Sequence, residues 1–166
     1  DARLGRFPPW TLFRTDLLRA EWIVVWRDIA PRVEAALLHR SAASDPVPLN
    51  TCYGAAVPDE ATGALLVAFL NSRLIRSLAA ATAERASGGA YRFSAATIGA
   101  LPLPSDLDCR SCRILESIGR EAARGESHDA DDLDTHAAAA LGLDADTTAR
   151  LAFIGDALCG DAGGHR

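Results

Sequence analysis

Leucine recurs every four residues at Leu66, Leu70, Leu74 and Leu78, with Val67 and Ala81 on the same stripe. That spacing predicts a helix with one face turned to a core. At about 100° per residue, Ser72 and Arg76 fall opposite the stripe and Arg73 on its flank, so both arginines are expected to project outward. Pro58-Asp59-Glu60 predicts the helix start, with Asp59 as its cap and acidic side chains suiting the positive end. Ser87-Gly88-Gly89 predicts its stop, because glycine accepts the backbone of a turn. Upstream, residues 22–26 and 49–57 are rich in β-branched and aromatic side chains and predict strands. Residues 33–39 fit either one helical turn or a strand. Arg27-Asp28 breaks the first strand ahead of Pro31, and residues 41–48 read as a loop. Past the glycines, Tyr91-Arg92-Phe93 predicts a short extended run. A turn follows, then Leu101-Pro102-Leu103-Pro104, whose prolines forbid further helix.

The pattern changes after Pro104. Residues 105–126 are helical by period, with Leu115, Ile118 and Ala122 on one face. Residues 127–134 predict an acidic loop. A second helix is expected from Leu133 to Gly142, and a third from Asp144 or Asp146 through Leu158. The predicted fold class is α+β: a small mixed or antiparallel sheet packed on a central helix, followed by a short helical appendage. The expected division is 1–104 and 105–166.

The ordered set "VVWRDIA", "VPLNTCYGAAV", "FLNSRLI", a Gly-rich turn, "YRF" and a closing "LPLP" resembles a known family. It is similar to the C-terminal target-recognition domain of N6-adenine DNA methyltransferases, a version of which the specificity subunits of type I restriction systems share. The resemblance covers roughly residues 22–104, and "LDTHAAAALGLDADTTARL" resembles the small helical tail after that domain. It implies a restriction-modification or related defence context. It also implies double-stranded DNA and the catalytic domain of the same protein as partners. S-adenosylmethionine is expected in the parent enzyme and not in this part.

Charge changes the picture only in its placement. The chain of 166 residues carries a net charge of −5, which by itself argues against a simple basic DNA-binding module. Residues 1–104 nevertheless hold 11 arginines against 9 acidic residues, while residues 105–166 hold 6 against 13. The first part suits phosphates and the second does not. All 17 basic residues are arginine, which, beside so much alanine, reflects GC-rich codon usage as much as selection. No methionine occurs, so a fragment of a longer protein is expected. No apolar run reaches the roughly 20 residues of a membrane span, no basic-then-apolar stretch opens the chain, and the expected compartment is the cytoplasm.

The chemistry-bearing motifs are incomplete. Cys109-x-x-Cys112 invites a zinc or redox reading, but a structural zinc site needs a second close pair, so reduced cysteines are expected. Phe7-Pro8-Pro9-Trp10 is similar to the Asn/Asp-Pro-Pro-aromatic motif of adenine methyltransferases. Its first position is Phe7, which accepts no hydrogen bond from an adenine amine. Phe153-Ile154-Gly155 with Gly160 lacks the second glycine of a methyl-donor loop at the needed spacing. His39, His128, His136 and His165 share no ligand spacing. Asp129, Asp131, Asp132 and Asp134 lack the Gly and Glu of a calcium loop, and a solvated acidic turn is expected.

Catalytic, cofactor and metal residues are thus expected to be absent. The expected DNA-binding residues are Arg73 and Arg76 on the helix, Arg85 and Arg92 around the glycine turn, Arg27 at a strand end, and Tyr91 stacking on a sugar or base. Asn71 is read as structural, its amide bonding a neighbouring loop. The DNA reading requires the arginines to converge. Its rivals are an interaction module docking through the helical tail, without DNA contact, and a degenerate enzyme fragment.

Overall fold

Strand β1 (Trp22–Arg27) is flanked by β3 (Ala35–His39) and β4 (Cys52–Val57) in an antiparallel sheet of order β3-β1-β4. The structure is a computed structural model, and it describes residues 16–41, 51–104, 106–107, 109–127 and 129–160. Both expected strands that flank the loop are present, and the ambiguous 33–39 segment is a strand as well. Residues 49–50 and Phe7-Pro8-Pro9-Trp10 lie outside the described residues. Val24 and Trp26 point one way along β1 and Ile23 the other, as strand alternation requires, and all three are buried. A short helix α1 (Asp16–Arg19) precedes β1.

A second antiparallel sheet, of order β2-β6-β5, is built from pieces far apart in sequence: β2 (Ile29–Ala30), β5 (Glu84–Arg85) and β6 (Tyr91–Arg92). Two hydrogen bonds tie it to the first sheet. The Trp26 indole donates to the Phe93 carbonyl at 2.9 Å, and the Phe93 N–H donates to the Asp28 carbonyl at 2.6 Å. The turn between β5 and β6 uses Gly88 and Gly89 at φ of 72° and 76°, a backbone that side chains disfavour.

The leucine-striped segment is not one helix but two. Helix α2 (Glu60–Asn71) and helix α3 (Arg73–Thr82) meet at Ser72 with a bend of 71°. Ser72 has an extended backbone and serves both helices. Its N–H and hydroxyl bond the Phe69 carbonyl that closes α2, and its Oγ accepts from the Ile75 N–H that opens α3. It is fully buried, which corrects the expectation that it points outward. The stripe is therefore broken: Leu70 and Leu74 are buried, while Leu66 and Leu78 are half-buried. Helix α3 also ends at Thr82, ahead of the predicted stop at the glycines, because Glu84 and Arg85 leave it to pair with β6.

Asp59 caps α2 as expected. Its carboxylate accepts from the Thr62 N–H at 2.8 Å, and that backbone bond holds its pKa below the usual value. Helix α4 (Ala95–Gly99) follows the second sheet. The last three helices are α5 (Arg110–Ala123), α6 (Ala130–Ala140) and α7 (Ala145–Gly160). The predicted acidic loop is shorter than expected: α6 begins at Ala130, with the Asp129 carboxylate accepting from the Asp131 N–H. Asp144 caps α7 through Thr147, and the backbone N–H of Thr147 lowers its pKa.

Helices on both sides of Pro104 contribute to one core, in which Leu115, Ile118, Leu133 and Ala137 join Leu65, Val67 and Leu74. Burial from the sheet on one side and α5 on the other explains why α2 is apolar nearly all round. The α2–α5 crossing is unusually close. A Cβ added to Gly119 would stand 2.0 Å from the Ala64 carbonyl oxygen. Among the described residues no single helix is long and apolar enough to cross a membrane.

Gly119→Ala must push two helices apart and is expected to cost about 1–3 kcal/mol by overpacking. Gly63→Ala meets side chains and no backbone, Leu37 Cδ1 at 2.4 Å and Val57 Cγ2 at 3.2 Å, and is expected to cost less because the flexible Leu37 tip can rotate. Urea midpoints of the two variants check this; equal midpoints would contradict the close crossing.

Candidate nucleic-acid interface

The six expected DNA-binding residues separate into two groups. Arg73 and Arg76 are held by the protein itself, contrary to the outward projection predicted from helical spacing. Arg73 is the first residue of α3, and its backbone N–H donates to Asp134 Oδ1 at 2.6 Å. Its guanidinium pairs with Asp134 and Asp131 on α6. The hydrogen bond to Asp134, ahead of the other contacts, raises the Arg73 pKa above its ordinary value. Asp134 is buried, so one carboxylate serves the positive end of α3 and its arginine together.

Arg76 turns back on the sheet. Its Nε donates to the Val33 carbonyl at 2.8 Å and its Nη2 to Asn71 Oδ1 at 3.1 Å. The Asn71 amide also closes two bonds with Ala35, accepting its N–H at 3.0 Å and donating to its carbonyl at 2.8 Å. Asn71 thus fills the hydrogen-bonding place of a further strand on the free edge of β3. The expected structural role holds, with a strand edge as the partner in place of a loop. The 71° bend turns α3 away from the direction a straight helix would give it, and residue spacing alone carries no sign of that bend.

Arg27, Arg85 and Arg92 are exposed. Pairing places Arg92 opposite both Ile29 and Glu84, and Tyr91 opposite both Ala30 and Arg85. Opposed residues share a face, so Arg92 lies on the outward face of the second sheet with Ile29 and Glu84. The Tyr91 ring is buried beside Phe93, and the Arg85 guanidinium lies over it at 5.6 Å from the centroid. Tyr91 therefore carries an arginine and offers no open ring to a base. Arg92 Nη1 reaches Asp28 Oδ2 at 3.2 Å. Arg27, the residue before Asp28, lines a cleft of about 370 Å³ with Asp28, Ile29, Thr51 and Cys52. The exposed arginines thus divide: Arg92 lies on one face of the second sheet, Arg85 on the other beside Tyr91, and Arg27 at the end of β1 in the cleft.

The sequence does not mark Asp28 as the partner of Arg92, nor Asp131 and Asp134 as the partners of Arg73. Their partners lie about 60 residues away, with separations of 64, 58 and 61. No local spacing marks such a pairing.

Other sequence candidates take local roles. His39 stacks on Trp22 with centroids 4.3 Å apart and approaches Glu21, and His136 approaches Asp132 on its own helix. Residues 153–160 are helical in α7, so they do not form the glycine loop that would receive a methyl donor. Asp129, Asp131 and Asp132 are exposed as expected, but Asp131, Asp132 and Asp134 lie on helix α6, and Asp134 is buried against Arg73. Among the described residues no group of three or more His, Cys, Asp or Glu is arranged to hold a metal. His128, His165 and the Cys159 side chain lie outside the described residues. No protein-family model, curated protein or solved structure matches the chain.

Asp134→Ala leaves the Arg73 N–H and guanidinium without their main acceptor and is expected to lower stability by about 1–3 kcal/mol. Arg73→Ala should lower it in the same direction. Arg92→Ala breaks a half-exposed pair, where about 0–1 kcal/mol is usual. Thermal melts of the three variants test the division; an Arg73→Ala protein as stable as the parent would return Arg73 to the group available for a ligand.

Proposed function

We propose that this chain is the DNA-binding target-recognition region of a site-specific adenine DNA methyltransferase in a restriction-modification or related defence system, working in the cytoplasm. A methyltransferase acts on a base extruded from the duplex, so a separate surface must hold the duplex and choose the site. The catalytic domain and S-adenosylmethionine belong to the parent enzyme in this reading. The observation that carries it is the exposure of three arginines, Arg27 in the cleft beside Asp28 and Ile29, and Arg85 and Arg92 on the strands either side of the Gly88–Gly89 turn. Arginines so placed can fix register on phosphates and read guanine edges. Two of the three acidic residues of α6, Asp131 and Asp134, pair with Arg73 at the start of α3.

A second reading has its own observation. Phe153 is 75% exposed and Ile154 44% on α7, which suits an interaction module docking on a partner subunit without DNA contact.

Titration of a duplex by fluorescence anisotropy at several salt concentrations separates the two. Each arginine that neutralises a phosphate contributes about 0.9 to the slope of log affinity against log salt. Arg27→Ala, Arg85→Ala and Arg92→Ala are expected to weaken binding and flatten that slope. Where one of them reads a base, its loss instead blurs discrimination worth about 1–3 kcal/mol at one position. Wild-type affinity, slope and specificity in all three variants would overturn the assignment and favour the docking module.

A further inference from the structure

The Cys-x-x-Cys pair has no part in the proposed DNA reading, yet its placement is specific. Cys109 is the N-cap of α5 and Cys112 the third helical residue. The Cys109 sulfur accepts from the Cys112 N–H at 3.3 Å, so one thiol sits against the backbone of the residue that bears the other. An N-cap and the third residue of the helix it caps lie about 5–6 Å apart at Cα, within the span of a disulfide. The two thiols differ in access: Cys109 is half-buried, while Cys112 is 1% exposed and part of the core. The Cys112 thiol points to the Asp106 carbonyl at 3.5 Å, in the loop that joins the Leu-Pro-Leu-Pro segment to α5. Neither is joined in a disulfide. Cys52 is also half-buried, but it lies on β4 with no cysteine beside it in sequence.

We propose that Cys109 and Cys112 form a reversible dithiol site that exchanges with small soluble disulfides, with Cys109 as the attacking thiol and Cys112 as the resolving one. The Cys109 thiolate attacks one sulfur of the incoming disulfide, forming a mixed disulfide and expelling one thiolate. The Cys112 thiol gives up its proton, and its thiolate attacks the Cys109 sulfur and releases the second thiolate. The protein loses two electrons and two protons; the incoming disulfide is reduced and leaves as two thiols. Closing the bond requires Cys112 to turn away from the Asp106 carbonyl and Cys109 to give up its cap on α5. Oxidation therefore acts on the junction between the Leu-Pro-Leu-Pro segment and the helical region.

The test uses the whole chain in glutathione buffers of graded oxidised-to-reduced ratio, followed by alkylation and peptide mass spectrometry. The expected result is a peptide spanning residues 109–112 that has lost two hydrogens and resists alkylation, reversed by added reductant. Cys112→Ser is expected to accumulate a glutathione adduct on Cys109, faster than any adduct on Cys52. Cys109→Ser is expected to leave Cys112 unmodified. The wild-type measurement stands without either variant. The proposal is overturned if both thiols remain alkylatable, after unfolding, at every ratio. Equal reaction of Cys52 and Cys109 in Cys112→Ser, or oxidised Cys109 found only between chains, would overturn it as well.

Discussion

A single extended residue, Ser72, sets the direction of everything downstream. A straight helix through 60–82 would run past the sheet. The break gives two helices at 71°, one lying along the first sheet and the other packed against α6 and α7. Hydrogen bonds on both sides of the break brace it. Ser72 closes α2 and opens α3, Asn71 completes the open edge of β3, and Asp134 receives the first N–H of α3. Leaving such groups buried and unpaired would cost about 1–3 kcal/mol each, so the joint holds as a unit or fails as one.

The same joint explains how charge is spent. Arg73 and Arg76 lie immediately beyond it and are drawn into bracing it, one against α6 and the other against the β2–β3 connection and Asn71. The acidic surplus of the last third of the chain is thereby partly accounted for: Asp131 and Asp134 answer Arg73, and Asp129 and Asp144 cap helices. Exposed Arg27 ends β1, and exposed Arg85 and Arg92 lie on the second sheet. There Trp26 and Phe93 fix the backbone from beneath, and the two glycines allow a tight return. A surface of rigid strands is better suited to hold arginines in register than a frayed loop.

Elements carried by local chemistry were legible in the sequence. The β-rich runs, the Asp59 cap, a cap at Asp144 or Asp146, the glycine turn and the helical period after Pro104 each depend on residues within one turn or strand. Asn71 was legible as structural, a helix-side amide bonding a neighbour, but its partner, the β3 edge at Ala35, was not. The bend was not, because Leu66, Leu70, Leu74 and Leu78 keep their spacing across it and Ser72 is an ordinary helix-surface residue by type. The second sheet was only half legible: Tyr91-Arg92-Phe93 read as extended, but its partners are two-residue strands from distant segments. The fates of Arg73, Arg76 and Tyr91 followed from those long-range pairings.

In the proposed reading DNA meets Arg27 and the strands around the Gly88–Gly89 turn, and not the face of α6 and α7. Amide hydrogen exchange of the chain, with and without a random-sequence duplex at low salt, tests it most directly, since phosphate contacts need no particular sequence. The account predicts slowed exchange at residues 27–30 and 84–92, with residues 130–160 unchanged. Protection confined to α6 and α7, or none anywhere at saturating duplex, would contradict it.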